Sequence, residues 1–283
     1  MNMVSMSISK EGERQKYLPL EIRAKIYDDV IELRKQGLSY TQIQRKIYEK
    51  YGRRISLSQI CFWLNKKHHP LGKVNKFDDK SSSELAYIIG TILSDGNIYF
   101  GDKNCILRLA VKDYEFAEEF GRCLAKVLGR KEPYKPFWSR KQKLWVVEGY
   151  SILLYKFLDR PFEELKPYIE HSKKTISAFI RALFDGEGSM RKYKRQLELY
   201  NTNKELLSYT QYLLKRCFDI DTTGPYLASK AGTIRYFPNS VITKTTKDNY
   251  YLRIRTNSLL NFYKYIGFTI KRKKQRLIKA VQQ

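Results

Sequence analysis

The stretch Leu85-Ala-Tyr-Ile-Ile-Gly-Thr-Ile-Leu-Ser-Asp95-Gly96 organises the reading of the whole chain. Its apolar run predicts a helix that stops abruptly at an acid followed by glycine. Gly90 and Ser94 stand four apart, so they share one helical face, and small residues there let a second backbone come close. Asp95 in the last turn sets a negative charge against the negative end of the helix dipole, at a cost of about 0.3–1 kcal/mol. Gly96 is expected at a C-cap, where positive φ is needed.

The pattern returns in Ser177-Ala-Phe-Ile-Arg-Ala-Leu-Phe-Asp-Gly186-Glu187-Gly188. Ala182 and Gly186 repeat the small pair, and Glu187-Gly188 repeats acid then glycine, 92 positions after Asp95-Gly96. That register selects Glu187, and not Asp185, as the partner of Asp95. The position of Asp185 is Leu93 in the first copy.

Both copies are followed by the same order of elements. After the first come a strand, a Gly101-Asp102 turn, an alternating strand to Lys112, and a helix carrying Phe116, Phe120, Leu124 and Val127. A strand from Lys143 to Glu148 and a helix over 151–158 complete it. After the second come a strand from Gln196 to Asn201, a helix from Lys204 to Phe218, two or three strands within 222–256, a helix from Leu259 to Ile266, and a basic tail cluster from Lys271 to Arg276. Self-similarity of this kind predicts two pseudo-twofold halves sharing one core.

The chain has 283 residues, 42% of them hydrophobic, and a formal net charge of +25, which points to a polyanionic partner, nucleic acid first. No apolar run reaches membrane-spanning length and no signal pattern opens the chain. The cysteines (Cys61, Cys105, Cys123 and Cys217) lack Cys-x-x-Cys spacing and read as reduced thiols of a cytoplasmic protein, with an archaeal or bacterial host expected. His68, His69 and His171 are too scattered for a zinc site.

Ahead of the repeat, 1–16 reads as a loose arm and 17–66 as three helices. Pro19 starts the first, whose buried stripe is Ile22, Ile26, Val30 and Leu33. Gly37 ends it. Ser39 or Thr41 caps the second, with Ile43 and Ile47 inside, and Tyr51-Gly52 breaks it. Ser56 or Ser58 caps the third, which carries Ile60, Trp63 and Leu64. The arrangement resembles a helix-turn-helix DNA-binding unit. Ser56, Ser58, Gln59 and Asn65 are groove candidates, with Arg53, Arg54, Lys66 and Lys67 on phosphates. The turn-rich stretch 67–83, with Pro70 and Gly72, reads as a linker to the halves 84–170 and 171–283.

Packing the two small-residue faces together brings Asp95 and Glu187 side by side. A divalent cation relieves their repulsion, and hard oxygen ligands near phosphates suit Mg²⁺. With these residues in view, 88–96 and 180–188 resemble the two motifs of a single-chain LAGLIDADG homing endonuclease, over about 85–283. The resemblance implies an α+β chain of two αββαββα halves whose sheets form a saddle over DNA. It implies Mg²⁺, with Mn²⁺ able to substitute, held by Asp95 and Glu187 with the carbonyls of Ser94 and Gly186 as further candidates. It also implies a staggered double-strand break leaving 3′ overhangs at a long, partly degenerate site, made by a monomer.

The family often places Gln at the end of the first hairpin strand; here that position is Val111, and its second-copy counterpart is Asn201. A helping lysine is expected nearby, with Lys112 and Lys192 as candidates, while Ser189, Met190 and Arg191 follow Glu187. One half of the site is therefore expected to be slow, favouring a nickase or weak cutter. DNA contacts are expected from Arg108, Lys112, Lys143, Arg191, Arg253, Arg255, Lys271 and Arg272. The start at Met1 and the end at Val281-Gln-Gln favour a freestanding, intron-encoded enzyme over an intein. An RNA maturase acting on intron RNA and a non-catalytic DNA-binding regulator are the alternatives.

Overall fold

The computed structural model describes residues 18, 20–70, 77–100, 105–191, 194–236 and 242–282. The expected arm 1–16, Pro19, Gly72, the Gly101-Asp102 turn and Lys192 lie outside the described residues. The chain divides into two compact units, one up to Gly72 and one from Lys73.

The first unit holds three helices, α1 (Leu20–Lys35), α2 (Tyr40–Tyr51) and α3 (Leu57–Leu64). Ser39 caps α2 through a capping box with Gln42, and Gly52 ends it at φ 64°. Ser56 caps α3, its hydroxyl accepting from the Gln59 N–H. That bond occupies a side chain expected in a DNA groove. Ile26, Val30, Ile43, Ile47, Ile55, Ile60 and Trp63 form the core. Ile22, expected in the buried stripe, is exposed.

The first half of the second unit runs α4 (Ser83–Ile92), β1 (Gly96–Phe100), β2 (Cys105–Val111), α5 (Tyr114–Val127), β3 (Phe137–Ser139), β4 (Leu144–Tyr150), α6 (Ile152–Leu158) and α7 (Phe162–Glu170). The second half runs α8 (Lys173–Glu187), β5 (Gly188–Met190), β6 (Leu197–Asn201), α9 (Lys204–Phe218), β7 (Thr222–Ser229), β8 (Ile234–Tyr236), β9 (Ile242–Lys244), β10 (Asn249–Ile254), a 3₁₀ turn, α10 (Leu259–Tyr265) and α11 (Lys271–Gln282). Each half builds one antiparallel sheet with the same strand path, β1-β2-β4-β3 and β5-β6-β10-β7. The segment 222–256 therefore holds four strands, two of them a separate β8–β9 hairpin. Phe77, expected in the linker, packs edge-on against Phe157, so 77–83 belongs to this unit.

Alternation places the core. In β2 the inward residues Cys105, Leu107, Leu109 and Val111 are buried, and the outward ones, including Arg108 and Ala110, are half-exposed. The helices α4 and α8 pack along their lengths at the centre. A Cβ on Gly90 would lie 2.6 Å from the Phe179 carbonyl and 2.9 Å from the Ala182 Cβ; one on Gly186 would lie 2.7 Å from the Ser94 hydroxyl. The two small pairs thus face each other as their spacing predicts. Gly90→Val is expected to cost about 1–3 kcal/mol or more by overpacking, read as a fall in melting temperature.

The motif glycines have a different role from the expected one. Neither Gly96 nor Gly188 has positive φ. The helix α4 ends at Ile92, so Asp95 lies in a turn beyond its last residue, while α8 continues through Glu187. The strands fold back so tightly that a Cβ on Gly188 would lie 2.3 Å from the Phe184 carbonyl, and one on Gly96 2.9 Å from that of Thr91. Glycine is required by space here, not by backbone angle.

Candidate active site at the paired helix ends

Asp95 and Glu187 stand together because α4 and α8 come close at Gly186, whose Cβ position is 3.2 Å from the Asp95 carboxylate. Asp95 is exposed and Glu187 half-buried. Among the described residues neither carboxylate accepts a hydrogen bond or lies within ion-pair distance of a cation. Surrounding protein raises the Asp95 pKa, and nearby Lys273 opposes the rise. Burial first, then repulsion from Asp95, pushes Glu187 up to about 7.

Lys273, within the expected basic tail cluster, is the cation beneath these acids. It is 4% exposed, and its Nζ donates to the carbonyls of Phe184 at 3.0 Å, Asp185 at 2.5 Å and Gly186 at 3.3 Å. These are carbonyls of the last turn of α8, which have no partner inside the helix. Burial lowers the Lys273 pKa to about 8. Asp185 returns the favour: its Oδ1 accepts from the N–H groups of Thr269 at 2.9 Å and Ile270 at 3.5 Å, just ahead of α11, and its Oδ2 from the Tyr87 hydroxyl at 2.8 Å. Each helix end is closed by a side chain of the other helix. Burial raises the Asp185 pKa against those hydrogen bonds. This explains an acid at Asp185 where the first copy has Leu93. A signal for Lys273 is present in the sequence: it shares a helical face with Leu277 and Ala280, both buried.

The strand register makes Val111 and Asn201 equivalent, since Gly96 pairs with Leu109 and Gly188 with Leu199. Val111 is core, 8% exposed. Asn201 lines a cavity with Glu187, Ser94, Lys244 and Lys247, and its Oδ1 accepts from the Asn203 N–H. Lys244 ends β9 and Lys247 lies in the loop after it, and neither belongs to a motif in the sequence. Lys112 is exposed in the bend after β2 and makes no ion pair with either acid among the described residues. Ser94 donates its hydroxyl to the Gly90 carbonyl at 3.0 Å and to that of Thr91 at 3.1 Å, and the Gly186 carbonyl accepts from Lys273.

The expected DNA contacts divide. Arg272 forms a two-pronged pair with Asp113, at 2.6 and 2.7 Å, and Lys271 lies 3.7 Å from Glu115, so both tie α11 to the start of α5. These pairs form because α11 folds back onto the core. Arg108 and Arg253 lie on the outward sheet faces, Arg191 beside the second, Lys143 in the β3–β4 turn at φ 54°, and Arg255 exposed just past β10. In the first unit Arg53, Arg54, Ser58 and Gln59 line one groove with His68, and Lys66 and Lys67 are exposed after α3.

Residues 174–267 match the model of the LAGLIDADG-like domain. The uncharacterized protein MJ0398 of Methanocaldococcus jannaschii is 36% identical over 89% of this chain and 92% of its own length. The chain thus carries a LAGLIDADG-like domain over residues 174–267. Among solved structures, variants of the homing endonuclease I-DmoI are 18% identical with a TM-score of 0.48, over 71% of this chain and all of theirs. I-DmoI in complex with DNA and Mn scores 0.45 at 18% identity, over 66% of this chain and 97% of that one. Full-length WhiA from Thermatoga maritima scores 0.46 at 18% identity, over 74% of this chain and 62% of its own. Both halves here belong to one polypeptide. No helix among the described residues is long and apolar enough to cross a membrane.

Proposed function

We propose that this LAGLIDADG protein is a site-specific DNA endonuclease that hydrolyses phosphodiesters with a divalent cation held by Asp95 and Glu187. The observation that carries the reading is the pair itself: two adjacent carboxylates without hydrogen-bond or ion-pair partners among the described residues, at the junction of two like halves. The donor set fits Mg²⁺. No cluster of three His, Cys, Asp or Glu side chains exists among the described residues, so the protein offers two carboxylates and backbone oxygens such as that of Ser94. Mg²⁺ is bound in this way, by one or two carboxylates with water and substrate phosphates. Such an ion supplies Lewis-acid stabilisation of phosphoryl and leaving oxygens and lowers the pKa of water.

The chain's own residues do the remainder. Lys273 holds the last turn of α8, and so Glu187, in place. Asn201, Lys244 and Lys247 offer donors on the Glu187 side, and no matching polar group stands at Val111. Hydrolysis of the two strands at unequal rates follows from that difference. The basic sheet faces and the groove at Arg53 and Arg54 bind double-stranded DNA as a monomer. An intron-encoded origin is part of the same reading.

The test is incubation of the purified chain with a plasmid library carrying random inserts, with Mg²⁺ or with EDTA. Linear product with Mg²⁺, preceded by nicked circles, is expected. Intact plasmid under both conditions, at any site offered, would sink the endonuclease reading. Binding is also expected to weaken about 10³- to 10⁵-fold between 50 and 200 mM salt if six to ten phosphates are contacted. A titration that shows no salt dependence contradicts the electrostatic basis of the reading.

A further inference from the structure

One cross-strand ion pair recurs on the outward face of both sheets with its charges exchanged. Arg108 on β2 stands opposite Glu148 on β4, and Glu198 on β6 stands opposite Arg253 on β10. Arg108 also faces Asn97, and Glu198 faces Ser189, each the residue after a motif glycine. By the internal repeat, Arg108 is therefore equivalent to Glu198, and Glu148 to Arg253.

The second pair is tightly built. Glu198 is only 1% exposed. Its Oε1 accepts from Arg253 Nε at 2.8 Å and lies 2.6 Å from Nη2. Its Oε2 accepts from the Tyr200 hydroxyl at 2.9 Å and from Arg191 at 3.5 Å. The Arg253 guanidinium lies 5.4 Å from the centre of the Tyr251 ring. In the first sheet Arg108 Nε is 3.5 Å from Glu148, its Nη2 donates to Gln142 at 2.5 Å, and the Tyr150 hydroxyl donates to Glu148 at 3.2 Å.

A buried carboxylate on a face that attracts phosphates works against non-specific binding. It does fix the guanidinium beside it. Glu198 occupies the Nε–Nη2 edge of Arg253, and among the described residues no other side chain takes up the end-on fork of Nη1 and Nη2. That fork matches the O6 and N7 acceptors of guanine in the major groove. Neighbouring strands are about 4.8 Å apart. Exchange of the charges therefore moves the guanidinium one strand across the sheet in one half relative to the other.

We infer that Arg108 and Arg253 each read a guanine, aimed by Glu148 and Glu198, and that the exchanged polarity places the two guanines at positions that are not mirror images in the target. Glu198 is a positioning residue. The inference rests on the reading of this chain as a DNA-binding protein.

The test is binding selection of the full chain on a randomised duplex library in EDTA, so that no strand is cut. The parent is expected to enrich one guanine in each half-site, at unequal distances from the centre. Glu198→Gln is expected to reduce that preference in one half-site alone, from about 5- to 150-fold to below about 3-fold, with affinity for random DNA raised by loss of a negative charge. The double variant Arg108→Glu with Glu148→Arg is expected to move the guanine of the other half-site to the mirror position. Should Glu198→Gln fail to fold, Arg253→Lys decides, because the charge stays and the fork is lost. Guanine preference unchanged in Glu198→Gln, or in Arg253→Lys, overturns the inference, as do mirror-related guanines in the parent site. A parent that enriches no sequence overturns the DNA reading along with it.

Discussion

Glu187→Gln is expected to abolish Mg²⁺-dependent cleavage and, at pH 8, to melt at a higher temperature than the parent. The two effects have one cause. Burial and the neighbouring Asp95 carboxylate push the Glu187 pKa up to about 7, against 4.5 for a free side chain. A carboxylate with a raised pKa binds more protons in the folded state than in the unfolded one. Stability therefore falls as pH rises from about 4.5 through about 7, and above that range the full penalty of the ionised group is present. Partial exposure limits that penalty to roughly 1–3 kcal/mol. Glutamine removes it and keeps the shape. Mg²⁺ should stabilise the parent and leave the variant unchanged; an ion at 100 times its dissociation constant adds about 2.7 kcal/mol. Loss of Glu187 is expected to slow cleavage by roughly 10²- to 10³-fold or more, and Asp95→Asn should do the same. Thermal melts at pH 5 and pH 8, with and without Mg²⁺, check the first claim, and timed cleavage checks the second. A variant that melts no higher than the parent at pH 8 would show that the two acids do not repel.

Lys273→Met is expected to be the most damaging single substitution to stability, by about 2–4 kcal/mol. It strips the donor from three carbonyls at the end of α8 and loosens α11 where Asp185 anchors it. Its pH signature is opposite to that of Glu187. The folded-state pKa of Lys273 is lowered to about 8 from 10.5. The folded state thus binds fewer protons than the unfolded one between those values, and stability recovers as pH rises through them. With Glu187 ionised and Lys273 still charged, the metal-free protein is expected to be least stable near pH 7–8. A denaturation series from pH 5 to 10 without metal should show that dip, shallower in Glu187→Gln. Equal stability of Lys273→Met and parent would mean that the α8 carbonyls find another donor.

Much of the fold was legible in the sequence because the repeat supplies its own control. Small residue, acid and glycine in register at 85–96 and 177–188 point to one helix pair, and the alternation at 106–112 points to a sheet with one face buried. Asp95 and Glu187 followed from the same register. Elements without a period of their own escaped: β3 has three residues, and α7 carries an internal proline, Pro167. The role of the motif glycines is ambiguous in the sequence for a physical reason. Glycine serves both left-handed backbone and close approach, and only coordinates separate the two.

What the sequence determined alone is local or repeated: helix caps at Ser39 or Thr41 and at Ser56 or Ser58, the small-residue face, the paired acids, the basic charge. What tertiary structure decided is which polar groups face one another across long separations. Lys273 reads as one more cation in Lys-Arg-Lys-Lys, and becomes a buried donor only because α11 returns to carbonyls 87 to 89 residues earlier. Arg272 finds Asp113 across 159 residues. Glu198 and Arg253, 55 residues apart, acquire their meaning from the register of β6 and β10. Desolvation and hydrogen-bond geometry set the value of a polar side chain, and both depend on neighbours that only the folded chain supplies.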